Sequence, residues 1–151
     1  MIWTAPHVAR SDEPFVADER AMLEGFLNWH RSTLLHKCAG LTAAQLAEQP
    51  LAPSKLSLLG LVRHLADVER TWFRRRFADQ SLPSLYSRPD TPDAAFDEAD
   101  PARAAEDLAA LTAEQDAARL EVVVICHRGS PSFVTRDRQR GAGGARGGRD
   151  R

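Results

Sequence analysis

The sequence is short of the residues that build covalent or metal frameworks. It has two cysteines, Cys38 and Cys126, and neither belongs to a C-x-x-C pair. That excludes a disulfide scaffold and the common zinc signatures, and fits a reduced, cytoplasmic setting. No stretch approaches the ~18 apolar residues of a membrane span. The opening residues, "MIWTAPHVARSDEPF", lack the basic-then-apolar order of a signal peptide. There are no internal repeats, no paired carboxylates at a catalytic spacing and no recognisable nucleophile. After Val134 there is no large apolar residue at all.

Against those absences stands an ordinary globular composition, with 43% hydrophobic and 27% charged residues in 151. The length suits one domain, with enough surface to bury that no crosslink is needed. The net charge is −1 but unevenly placed. Residues 136–151 hold six arginines and two aspartates, so the tail is basic and the body mildly acidic. "RGAGGARGG" cannot form a packed face, so a domain over 1–125 and a disordered Arg/Gly-rich tail over 126–151 are expected. The tail carries no aromatic residue to stack on bases, which argues against nucleic acid as a partner.

Helical periodicity dominates the body. A helix is expected from about Asp18 to Lys37, with Leu23, Leu27, His30, Leu34 and Cys38 on one stripe and Gly40 after its end. Thr42 and Gln45 have the spacing of a capping box for a short helix from Ala43 to about Glu48. Ser54 or Ser57 caps a second long helix reaching about Phe77. Residues 79–99, with three prolines, read as a long loop. Asp100-Pro101 restarts a third long helix to about Val122, with Leu108, Leu111 and Leu120 as core candidates. "VVVI", 122–125, reads as either its buried end or a short strand. Three such helices predict an all-α bundle that wants a fourth to close its core.

The sharpest chemical feature is His64 within "LSLLGLVRHLADVERTWF". Its spacing to Leu61, Val68 and Trp72 predicts an inward-facing ring on the apolar stripe. Such a ring needs a partner, which could be backbone, water or a metal. Asp67, one turn on, could orient it as a second-shell acceptor, and His30 occupies the matching stripe of the first helix. Glu69 reads as part of the solvated face. Arg70, Arg74, Arg75 and Arg76 read as complements to a helix C-terminus. Cys126-His127 are sequence neighbours, which rarely face each other, and suggest no nucleophile.

"HRSTLLHKCAGL", "PSKLSLLGLVRHLADVER" and "DAAFDEADP" together resemble the DinB-like superfamily. They resemble most the actinobacterial mini-circle-protein branch, related to mycothiol-dependent maleylpyruvate isomerases. The resemblance spans about residues 1–125. It implies an up-down-down-up four-helix bundle, often a homodimer, holding a divalent metal of the zinc, nickel or iron class. It implies that the metal activates a low-molecular-weight thiol or water, as in a thiol-using transferase or isomerase. His64 matches the family's first ligand, on the second long helix. The remaining ligands come from the closing helix, and this sequence has "SPSFVTRDRQRGAGGARGGRDR" in its place. The expectation is therefore a bundle with the fourth helix missing or degraded, weak or absent metal binding and impaired activity. The alternative is a non-catalytic helical dimerisation module in which His64 is a structural core group. A shifted reading frame in a GC-rich gene would produce such a tail. Translating the same DNA in its other two frames checks this, and finding no amphipathic helix with a His or Glu pair would dismiss it.

Overall fold

The computed structural model describes residues 2–10 and 12–127, with the side chains of 125–127 outside that description. Helix α1 spans Glu19–Cys38, capped by Asp18, whose carboxylate accepts from the Ala21 N–H. Gly40 follows with φ +77, where a Cβ would be strained. Helix α2, Ala43–Ala47, starts on a complete Thr42–Gln45 capping box. Helix α3, Leu58–Glu69, is capped by the Ser57 hydroxyl. It continues without a break as a π-helical stretch, Arg70–Phe77. Asp100 and Pro101 open a 3₁₀ turn, Pro101–Arg103, that runs into α5, Ala104–His127. The "VVVI" run is thus helix, not strand. A short helix α4, Ala94–Asp97, interrupts the segment expected to be loop. The expected all-α class holds. The expected disordered tail over 126–151 begins too early, since α5 runs to His127; the rest of it and the missing closing helix concern residues outside the described ones.

The ion pairs report helix direction. Arg63 meets Asp107 and Arg70 meets Glu114, both 44 residues apart in sequence. A constant offset means that α3 and α5 run parallel. Helix α1 runs the other way. Asn28 meets Arg119, while further along α1 Ser32 and Leu35 share a cleft with Thr112 and Gln115, earlier in α5. The three long helices therefore run up, down and down.

Parallel neighbours cannot be joined by a tight turn, which is why the connection after Phe77 is long. The chain must travel back the length of α3 before α5 can start. It does so under constant tether. The Asp67 carboxylate accepts from the N–H groups of Leu85, Tyr86 and Ser87. One turn earlier in α3, Arg63 donates to the carbonyls of Ala94 and Ala95. Earlier again, Gly60 lies under Phe96, where a Cβ would come within 2.5 Å of the ring. The core proper gathers Cys38, Leu46, Leu59, Val62, Ala66, Leu108 and Leu111, all buried. The N-terminal segment closes one end: Ala5 exchanges backbone hydrogen bonds with Gly40 and Leu41.

Candidate functional site

The face that α3 buries is not the one its Leu61–His64–Val68–Trp72 stripe suggested. Leu59, Val62, Arg63, Ala66, Asp67 and Glu69 are buried. His64 is exposed, tilted against Phe96 with ring centroids 5.5 Å apart. The expectation of an inward-facing imidazole, and of a structural core histidine, is corrected. The reason lies in the width of the apolar surface. Leu58, Leu59, Leu61, Val62, Leu65, Ala66 and Val68 cover most of the helix circumference, so periodicity alone cannot choose the centre. Buried partners for Arg63 and Asp67 choose it instead.

Asp67 does not orient His64. Among the described residues its side-chain hydrogen bonds go to the crossover backbone. His30 is exposed as well, packed edge-on between Phe26 and Trp29. Leu23 and Leu120, expected in the core, are 66% and 67% exposed. Glu69, read as solvated, is buried and takes a two-pronged hydrogen bond from Arg31 of α1, with Nε–Oε1 at 2.7 Å. Arg70 and Arg74 converge on buried Glu114 rather than serving the helix end.

What the fold assembles between its helices is thus a ladder of enclosed ion pairs. At one level Asp107, 1% exposed, accepts from Arg63 and from the Tyr86 hydroxyl, and Arg63 lies 4.1 Å over the Tyr86 ring. Burial and the neighbouring Asp107 carboxylate push the Tyr86 hydroxyl well above its ordinary range. At the next level sit Arg70, Arg74 and Glu114, and beside them Arg31 and Glu69 under Phe73. None of these residues was singled out as a buried site residue from sequence. A signal existed: Arg63, Asp67, Arg70 and Arg74 repeat at helical spacing, and so do Asp107 and Glu114. Charges at that spacing usually mark a wet face, so their complementarity across two distant helices was not legible.

The ladder borders a cleft. Leu27, Asn28, Arg31, Phe73, Ala118 and Val122 line a cavity of ≈ 240 Å³ between α1, the π-helical stretch and α5. Its walls are mostly apolar, with Arg31, Arg119 and the Glu24 carboxylate at the edges, which suits binding. Cys38 is no nucleophile, because it is fully buried and its thiol is pushed up to about 11. No three or more His, Cys, Asp or Glu side chains among the described residues are grouped so that they could hold a metal ion. No helix among them is long and apolar enough to cross a membrane.

No curated protein and no solved structure matches this sequence. A protein-family model does: the one described as mycothiol-S-transferase matches residues 22–138, well over half of the chain. That stretch covers α1 from Met22 onward, α2, α3, the tethered crossover and α5. Mycothiol-S-transferases are DinB-like and related to mycothiol-dependent enzymes. With the up-down-down order of its helices and the family match in agreement, the chain belongs to the mycothiol-S-transferase family, among mycothiol-related transferases.

Proposed function

We propose that this chain is a thiol-transferase scaffold whose metal-dependent chemistry is impaired. Its thiol would be of the mycothiol class, and its metal a divalent ion of the zinc, nickel or iron class. His64 is the position for the first ligand. The observation that carries the reading is the shortage of companions for it. The described residues offer no group of three ligands, and the sequence beyond His127 contains no His, Cys or Glu, only Asp137 and Asp150 among ligand types. Zinc-like ions take three or four ligands, and one imidazole binds them weakly. The described residues therefore do not fit a metal centre, and no step is assigned to one. The exposure of His64 on α3 is consistent with a position that a closing segment would cover in a complete bundle.

The test is the metal content of the purified full chain, with and without His64→Ala, alongside transfer of a mycothiol-type thiol to an electrophile. The expected result is far less than one metal per chain in both proteins, and little transfer. Close to one metal per wild-type chain, lost on His64→Ala, would overturn the impairment.

A second reading has its own observation. Leu23 and Phe26 on α1, and Leu120, Val123 and Val124 on α5, are exposed. Apolar surface of this extent favours association. The chain then serves as a cytoplasmic helical dimerisation module, and light scattering should give twice the chain mass. Leu23→Asp should return it to the monomer, and a wild-type monomer at working concentration dismisses the reading.

A further inference from the structure

Eight of the eleven arginines among the described residues are held in ion pairs. Arg20, Arg31, Arg63, Arg70, Arg74, Arg88, Arg103 and Arg119 each make an ion pair with a carboxylate. The other three make none among the described residues: Arg10, which lies over the Trp29 ring, and Arg75 and Arg76 at the end of the π-helical stretch. Arg75 reaches only the Ser84 hydroxyl, at a long 3.4 Å, and Arg76 lies over the Trp72 ring at 4.5 Å. Both line one cavity of ≈ 320 Å³, completed by Thr71, Gln80, Ser81 and Leu82. No acidic side chain lines it.

Both cations lie in the last turn of the π-helical stretch and complement the helix dipole, a role that leaves guanidinium donors available to a ligand. The carbonyls of Phe73 and Arg74 already accept from the N–H groups of Ala78 and Gln80. The acids nearest in sequence or by hydrogen bond lie outside the lining. Glu121 is engaged by the Gln80 amide, and Asp79 is exposed at the turn. Two guanidiniums without a carboxylate partner, beside the Thr71 and Ser81 hydroxyls, form a donor-rich set with no anionic acceptor in the lining. That set matches a phosphate group, whose oxygens accept charge-assisted hydrogen bonds from several sides at once.

We propose that the Arg75–Arg76 cavity is a binding site for a phosphate group, separate from the Arg31 cleft and independent of the thiol-transfer reading. The phosphate can be carried by a soluble ester or by a lipid headgroup. Trp72, under the Arg76 guanidinium, is 56% exposed, and Phe77, next in sequence to Arg76, is 43% exposed; both would rest at a lipid interface in the second case.

The experiment titrates the full chain with inorganic phosphate by calorimetry. In parallel, phosphatidylglycerol and phosphatidylcholine vesicles are tested by sedimentation. Saturable phosphate binding is expected, weakened about tenfold or more in Arg75→Gln/Arg76→Gln through loss of two charge-assisted donors. Both side chains are exposed, so the double variant should keep its circular dichroism and melting temperature. Vesicle binding that needs phosphatidylglycerol and is lost in the double variant assigns the phosphate to a headgroup. Phosphate binding without vesicle binding assigns it to a soluble ester. No saturable phosphate binding, or binding that the double substitution leaves unchanged, overturns the site.

Discussion

Single residues in this protein carry large, separable energies because their charges are enclosed. Arg31 and Glu69 are 6% and 9% exposed at the side chain and meet across two helices. Glu69→Gln removes one charge and leaves the guanidinium enclosed without its counter-ion, so a loss of about 3–5 kcal/mol is expected in urea denaturation. Replacing both, as Arg31→Met with Glu69→Leu, should recover most of that loss, because neither charge then needs solvation. A double variant as unstable as Glu69→Gln would show that the pair matters through shape rather than charge. Cys38 gives a second residue-scale prediction. Its thiol stays protonated up to about 11 in the folded chain, against an ordinary 9.0. In the unfolded chain it ionises first. The stabilisation is complete below about pH 9 and is lost as the pH rises toward 11. The expected loss is on the order of 2 kcal/mol. Tyr86, whose hydroxyl is also held protonated, adds to the same alkaline decline. Cys38→Ala should flatten part of that decline, while its neutral-pH stability drops by about 1 kcal/mol for the lost packing. An unchanged pH profile in Cys38→Ala would refute the assignment.

At the scale of elements, the telling feature is how α3 holds the returning chain. Gly60, Arg63 and Asp67 are successive rungs on one face, and each secures a different part of the crossover. Gly60→Ala should therefore lower stability by more than the roughly 1 kcal/mol that alanine normally gains over glycine inside a helix. The added methyl must displace Phe96 and loosen α4, and thermal unfolding checks this. If Gly60→Ala stabilises the protein, α4 does not sit as closely as described. Asp67→Asn keeps the shape but replaces one acceptor oxygen with a donor facing N–H groups. It should unfasten residues 85–87 and raise their amide hydrogen exchange, with little change at α1. Thr42→Ala removes a full capping box and should cost about 1 kcal/mol, a local effect for comparison.

For the whole molecule, helix order governs the rest. Parallel α3 and α5 demand the long crossover, and the antiparallel α1 leaves a cleft beside Arg31. The exposed apolar residues of α1 and α5 leave apolar surface of the bundle uncovered among the described residues, and His64 lies exposed on α3. Association and metal content are the two whole-molecule measurements that follow from that exposure.

The helices themselves were legible in the amino-acid order. Asp18, Thr42, Ser57 and Asp100 each mark a start through a short-range hydrogen bond to the next turn. Gly40 marks a stop because its backbone needs a positive φ. Such signals act within four residues, so the sequence alone determines them. The orientation of each helix about its own axis did not follow. His64 and Leu120 lie on surfaces apolar enough to be taken for core. Which side of α3 turned inward was decided by Asp107 reaching Arg63 and by the crossover reaching Asp67. Those partners are brought near only when the chain has doubled back. A charge is buried where its counter-charge arrives, and that meeting is a property of the tertiary structure.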